Sequence, residues 1–356
     1  MERGLYIHIP FCLSKCPYCD FYSTQYNIEL ANSYADAVIR NIQHYGGKFD
    51  TVYFGGGTPF LLWKKICDIL EAVDTVNNAE ITVEANPCTV DAKSLAALRK
   101  AGVNRISFGV QSLNDDELKA LGRRHDADTA VNAVKAAKEQ GFDNISTDIM
   151  LGIPGQTSES VIRTIQQLSL LPITHISAYM LKIEESTPFA KAKLVLPDED
   201  EVCSIYLKAT DLLSDLGFNQ YEISNYAKEG FSCRHNLKYW NCEEYLGIGP
   251  AAHSYYNGKR FFVKRDLNSF ISDEYQRTVI EEVDPGNHEE YAMLRLRLTE
   301  GLSLSEYEAL GGDKKDMKLM LSQIPDEYVL IDGDIVSLTP KGFLVSNMII
   351  GRLLGY

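Results

Sequence analysis

The chain has 356 residues, 45% hydrophobic and 24% charged, with a formal net charge of −14. That size and composition suit a soluble protein with one large α/β domain and a small appendage, while the acidic balance argues against a nucleic-acid-binding surface, which needs clustered Lys and Arg. No stretch approaches the roughly 20 apolar residues that span a bilayer, and the start lacks a charged region followed by a long apolar one, so neither a membrane protein nor a secreted one is expected.

In chain order, the apolar run 5–9 reads as a strand and leads straight into Cys12-Leu-Ser-Lys-Cys16-Pro-Tyr-Cys19. Further strands are expected at 51–54, 81–84, 105–110, 144–151 and 175–182, separated by amphipathic helices. Tyr34, Val38 and Ile42 share one helical face. Ala127, Ala130, Val131, Val134 and Ala137 share another, in a helix opened near Asp126 and stopped at Gly141. A later helix runs from about 200 to 216. Six consecutive βα units call for a parallel sheet with right-handed crossovers and are too few for a closed eight-fold barrel. The expected fold is α/β, a partial (β/α)6 barrel over residues 1–220, with a doubly wound sheet as the competitor. Residues 221–284 read as an aromatic and glycine-rich connecting segment. Residues 285–356 read as a small α+β, winged-helix-like domain. Its β-pair brackets Asp332-Gly-Asp334, and its final helix is capped by Thr339 with Pro340 behind it.

The unusual residues follow the strands, at the rim where sites form in either architecture. An iron–sulfur cubane normally takes four thiolates. Three at close spacing leave one iron open to a small ligand. A zinc knuckle completed by His8 or a distant Cys is the bland alternative. Gly55-Gly-Gly-Thr-Pro59 lets backbone approach a ligand closely, although a tight turn needs the same residues. Glu84 ends a strand, where its carboxylate can accept from ribose hydroxyls or merely cap the next helix. Asp148 lies inside an apolar strand, and a buried carboxylate needs a partner. Arg123 or Arg124 are candidates, with Gln111 able to join, and a purely structural ion pair is the alternative. The other five cysteines are scattered without a disulfide framework, which fits a reducing cytoplasm.

The string His8-Ile-Pro-Phe-Cys12-x3-Cys16-x-Tyr18-Cys19-Asp-Phe21 resembles the radical S-adenosylmethionine (SAM) family. Within it, the string is similar to the group of oxygen-independent coproporphyrinogen III oxidases and, nearer still, to the HemW-type haem chaperones. GGGTP, ExNP, GVQS and LGIPGQT follow in the family's order, so the resemblance covers essentially the whole chain. It implies a 4Fe-4S cluster on Cys12, Cys16 and Cys19. It also implies SAM contacts at Tyr6, Tyr18, Gly56, Gly57, Thr58, Glu84, Gln111, Arg123 and Asp148. Arg123 is preferred over Arg124 by its spacing from Gln111.

Two departures separate the chain from the oxidase branch. The oxidase has a further cysteine where Phe21 stands, and it carries an N-terminal extension ahead of the cysteine motif. The chaperone branch shows His-Asn-x2-Tyr-Trp, matched by His235, Asn236, Tyr239 and Trp240, and the resemblance ties that motif to haem. His235 is then the candidate iron ligand, with Tyr239 and Trp240 as packing surfaces. The alternative is a cluster that pins an irregular linker onto the barrel. His253, Cys233 and Cys242 are weaker candidates, and position 251, often Gly in the related pattern, is Ala. The resemblance thus implies a haem chaperone with cluster, SAM and haem as cofactors. Its partner would be an apo-haemoprotein acceptor, membrane-associated ones included. Radical decarboxylation of coproporphyrinogen III is the alternative, and radical modification of RNA a weaker one.

Overall fold

The computed structural model describes residues 3–282 and 285–356. Six parallel strands make the body of the sheet: β1 (Arg3–Ile9), β2 (Lys48–Gly56), β3 (Asp74–Ala85), β4 (Arg105–Gln111), β5 (Asn144–Leu151) and β6 (His175–Met180). The crossovers carry α1 (Ile28–Tyr45), α2 (Trp63–Glu71), α3 (Ala92–Lys100), the pair α4 (Asp115–Ala120) and α5 (Ala127–Glu139), and α6 (Ser158–Ser169). After β6 comes α7 (Glu199–Asp215). This is the α/β partial barrel expected from the βα alternation. The helix caps sit where the side chains dictate: Asn27 accepts from Leu30 N at the start of α1, and Asp126 accepts from Thr129 N at the start of α5.

Alternation along the strands sorts core from cleft. On β1, Leu5, Ile7 and Ile9 are fully buried against the outer helix layer, where α1 contributes Tyr34, Ala35, Val38 and Ile42. The intervening Gly4, Tyr6 and His8 face the concave side. The same parity puts Glu80, Thr82 and Glu84 of β3 on the concave side, with Arg105 and Ser107 of β4 and Asp148 of β5. The core is therefore the sandwich between sheet and helices, and the concave face is a polar lumen.

Residues 221–284 take a larger part than a connecting segment. β7 (Asn219–Glu222) and β8 (Asn225–Ala227) add to one edge, with β8 antiparallel to β6. The short helix α8 (Arg234–Trp240) then crosses back, and β9 (Tyr245–Ile248) pairs parallel to β1 on the side away from β2. Three antiparallel strands, β10 (His253–Tyr256), β11 (Lys259–Val263) and β12 (Thr278–Glu282), complete a twelve-stranded sheet. These strands are only three to five residues long, too short for an alternation signal to stand out. The boundary expected at 284/285 abuts residues 283 and 284, which lie outside the described residues.

The C-terminal unit has the α+β order expected. Helix His288–Arg295 is followed by strand Leu302–Ser303, helices Leu304–Ala309 and Lys314–Leu321, and the hairpin Val329–Asp332/Ile335–Leu338. Thr339 caps the next helix by accepting from Gly342 N, with Pro340 in its first turn. The unit is sewn to the barrel edge by Ile223 N donating to Arg297 O (3.0 Å) and Thr299 N to Tyr221 O (3.1 Å). Among the described residues no helix is long and apolar enough to cross a membrane.

Ala251, in the turn from β9 to β10, has φ +70°, a left-handed conformation that costs an L-residue with a Cβ and suits glycine. Ala251→Gly is expected to stabilise the fold by about 0.5–1 kcal/mol, because relief of strain exceeds the added chain entropy. A urea melt with an unchanged slope and a higher midpoint is the expected outcome; a lower midpoint contradicts the strain.

Candidate functional site

The C-terminal end of β1 delivers the cysteine loop to the lumen's mouth. The loop folds back so that Phe11–Cys12 pairs with Thr24–Gln25, and Cys19 N donates to Cys16 O (3.1 Å). All three cysteines are half-buried, and all eight in the chain are free thiols. Burial pushes the Cys19 thiol above its ordinary value, and the nearby Cys16 and Cys12 push in the same direction. Among the described residues no group of three or more His, Cys, Asp or Glu is placed to hold a single metal ion. Three thiolates of a cubane each bind a different iron, so they need not converge on one point. His8, the alternative fourth ligand, has both ring nitrogens engaged. Its Nε2 donates to the Tyr22 carbonyl (2.8 Å), which leaves Nδ1 to accept from the Tyr6 hydroxyl (3.0 Å). Burial lowers its pKa to about 4 against the pull of that carbonyl, so the ring is neutral at pH 7.

The glycine run closes over this loop. Gly57 N donates to Ile9 O (2.8 Å), and Thr58 N to Phe11 O (2.7 Å). A Cβ on Gly57 would lie 2.6 Å from Phe11 O and 3.0 Å from Cys12 Sγ, so only glycine lets the β2 loop lie against the cysteine. The Thr58 hydroxyl points at Cys12 Sγ (3.8 Å). On the far side, Arg123 reaches in. Its Nη1 donates to Cys16 Sγ (3.6 Å) and the Tyr18 hydroxyl (3.4 Å), its Nη2 donates to Gly109 O (2.6 Å), and its Nε has no partner. Arg124 is exposed.

Deeper in the lumen, Glu84 accepts from the Tyr53 hydroxyl (2.9 Å) and from Gly56 N (3.2 Å). Burial first, and then the charge of Asp148, raise its pKa to about 7. Asp148 accepts from the Ser107 hydroxyl (3.2 Å), and burial raises its pKa against the pull of Ser177, Arg105, Ser107 and Arg123. The partner expected for Asp148 was a neighbouring arginine. The structure gives it serine hydroxyls instead, because Arg123 is tied to the Gly109 carbonyl and the cysteine loop. Gln111 stands at a bulge with φ +69°, so that its amide turns back over Gly109 beside Arg123. Tyr6, Tyr18, Gly56, Gly57, Thr58, Glu84, Gln111, Arg123 and Asp148 thus all line one cleft that opens at the cysteines.

His235, Asn236, Tyr239 and Trp240 lie at the opposite end. They belong to α8, which closes the lumen's floor. Having no cap of its own, α8 borrows Glu80 of β3, which accepts from Arg234 N (3.2 Å) and His235 N (3.1 Å). Lys238 and Asp50, both buried, form an ion pair at 2.9 Å that fastens the helix to β2. The His235 ring is 1% exposed, bonded through Nδ1 to Thr51 Oγ1 (2.8 Å) and through Nε2 to the Tyr239 hydroxyl (2.8 Å). It stacks on Tyr53 with ring centres 5.2 Å apart. Burial, then Lys238 and Arg105, lower its pKa to about 3. As folded, this ring has no free lone pair for an iron, which departs from its expected place as an accessible haem ligand. The alternative reading, a cluster that pins the segment to the barrel, describes the observed contacts. His253 pairs with Glu281 (3.1 Å), Cys242 lies by Glu290 and Arg260, and Cys233 faces Glu80.

Sequence reasoning missed Tyr53, Glu80, Arg105 and Ser107. Their signal was present: each sits two or four residues from a recognised position on the same strand, and Glu80 and Arg105 are charges in strand sequence, as Asp148 is.

Residues 6–168 match the model of the radical SAM superfamily. The chain is 36% identical to the Heme chaperone HemW of Haemophilus influenzae, over 97% of this chain and 96% of that one. It is 35% identical to the Heme chaperone HemW of Escherichia coli, over 98% and 97%. To that of Bacillus subtilis it is 34% identical over 99% of both. Among solved structures, coproporphyrinogen III oxidase (HemN) of Escherichia coli is similar in fold, with a TM-score of 0.81 at 21% identity, over 99% of this chain and 90% of that one.

A buried carboxyl whose folded pKa is raised stabilises the fold only while it stays protonated. That contribution is fully present below the unfolded value of 4.5 and is lost as pH rises through about 7. Glu84→Gln is therefore expected to stabilise the ligand-free protein on the order of 2 kcal/mol at pH 8 and to change little at pH 4. Thermal melts at the two pH values check this; an equal shift at both contradicts it.

Proposed function

Because the chain belongs to the HemW haem-chaperone family of the radical SAM superfamily, we propose that it binds haem and transfers it to an apo-haemoprotein acceptor, on a scaffold that holds a 4Fe-4S cluster and SAM. The observation that carries this reading is end-to-end identity of 34–36% with relatives of that name. Phe21 in place of a further cysteine agrees with it. The oxidase alternative rests on a likeness of fold at 21% identity, which does not carry an activity.

The residues present fit the implied groups. Cys12, Cys16 and Cys19 offer three soft donors, gathered closely enough to raise one another's cost of ionisation, a cost that a cationic cluster would offset. When bound, the cluster supplies an electron and an open iron to which the amino-acid end of SAM can attach. Thr58 and Arg123 would orient the sulfurs at 3.8 and 3.6 Å. Gly56 and Gly57 let main chain approach that end. Glu84 and Asp148 would accept from hydroxyl and amino groups of the nucleoside, with Gln111, Tyr6 and Tyr18 closing the walls. The lumen's depth excludes water around the ligand.

Haem contact at His235, Asn236, Tyr239 and Trp240 is retained with one condition set by the geometry. An iron reaches His235 only after α8 loosens from the floor and the ring gives up Thr51 or Tyr239. Free thiols throughout support a reducing, cytoplasmic location, and a membrane-associated acceptor would be met from that side.

The functional test gives the reduced, reconstituted protein SAM with either haem and an apo-acceptor or coproporphyrinogen III. Haem transfer seen by absorbance, without decarboxylated product by mass spectrometry, supports the chaperone; product without transfer overturns it. For the haem site, Tyr239→Phe removes the competitor for Nε2. If iron takes that nitrogen, haem binds more tightly in the variant, while the fold loses about 1 kcal/mol with the hydrogen bond. An unchanged haem affinity places the iron elsewhere.

A further inference from the structure

Arg105 is 2% exposed, its Nε has no hydrogen-bond partner, and no motif singles it out. It sits on β4 between β3 and β5, one inward position below Ser107, the residue that bonds Asp148 and lies beside Glu84 in the strand register. Its neighbours from below are Glu80 of β3, Cys233 ahead of α8 and Tyr221 of β7, with Tyr53 of β2 alongside. His175 and His235 also face it, and both are kept neutral by burial. The Glu80 carboxylate is committed to the first N–H groups of α8.

Above Arg105 the lumen is acidic. Glu84 faces Tyr6 and Tyr53 from β1 and β2 and Asp148 from β5. Asp148 also faces Tyr179 of β6 and Arg123. Only two cations act on this pair. Arg123 is bonded to the Gly109 carbonyl and the cysteine loop, so Arg105 alone is not tied to another site. A charge in a water-poor cleft acts over several ångströms, because little solvent screens it.

We propose that Arg105 is a positioning residue for the nucleoside pocket: its buried guanidinium holds Glu84 and Asp148 ionised, and so able to accept two or more hydrogen bonds each from hydroxyl and amino donors. Both carboxyls are lifted by burial and pulled back by Arg105. The proposal rests on the reading of this cleft as the SAM pocket, and it adds the reason two neighbouring carboxylates can both serve there. A neutral acid keeps one oxygen occupied by its own proton, which removes acceptors from the pocket.

The test has two readouts on the full-length protein. The first follows the Glu84 and Asp148 carboxyls by carbon-13 NMR titration of ligand-free protein. The second measures SAM affinity of the cluster-loaded protein from pH 6 to 9. In Arg105→Met both carboxyl midpoints are expected to rise by about one unit or more. SAM should bind about tenfold more weakly at pH 7, the ratio that one unit implies, and should recover towards wild type at pH 9. Arg105→Lys should restore most of the affinity. A merely structural role predicts weaker binding at every pH and unmoved midpoints, and that result overturns the proposal. Glu80→Gln guards against a Met variant that fails to fold: removing the negative charge beside Arg105 should lower both midpoints, and unmoved midpoints there contradict the proposal equally. If wild type binds no SAM at any pH while the midpoints still shift, the pocket's assignment fails and the electrostatic role stands.

Discussion

Glu80, Glu84, Arg105 and Asp148 occupy inward positions on three neighbouring strands, where each carboxylate stripped of water costs free energy unless hydrogen bonds or an opposite charge replace the solvent. The fold meets this constraint with other inward residues of the same sheet. Tyr53 and Gly56 N serve Glu84, Ser107 serves Asp148, and the start of α8 serves Glu80. Arg105 stands among them without a direct bond at Nε. A hydrocarbon-filled interior would be more stable, and the polar lining is what makes the lumen a binding cleft.

The two ends of that cleft share parts. His235 of the floor stacks on Tyr53, whose hydroxyl donates to Glu84, whose other oxygen accepts from Gly56 N in the glycine run beneath the cysteines. Floor, wall and mouth are therefore one contiguous set of contacts, about 2.8 to 3.2 Å at each hydrogen bond. Loosening α8 removes a stacking partner from Tyr53 as well as freeing the histidine. In a protein that handles both SAM and haem, this is where the two sites would sense each other.

Much of this was legible before the structure. Apolar runs at 5–9 and 144–151 alternate with helices whose caps, Asn27 and Asp126, are polar residues directly ahead of periodic segments, and the parallel core followed from them. The cysteine spacing and the glycine run located the mouth. What lay hidden has physical reasons. The strands of 219–282 are only three to five residues long, so pattern gave way to pairing with edges already formed. His235 was read as a ligand because its neighbours are aromatic. Aromatic neighbours equally describe a buried ring, and only Thr51, far away in sequence, distinguishes the two. Asp148 was assigned an arginine partner by nearness in sequence, whereas its partner came from the adjacent strand.

The central claim is an open iron at the mouth of this lumen, with SAM seated over it. Electron paramagnetic resonance of the reduced, cluster-loaded protein tests it most directly, because a ligand bound to iron changes the signal. The account predicts a four-iron signal that shifts on adding SAM, with the shift lost in Glu84→Gln or Asp148→Asn while the cluster itself stays loaded. A signal indifferent to SAM in the wild-type protein would contradict it.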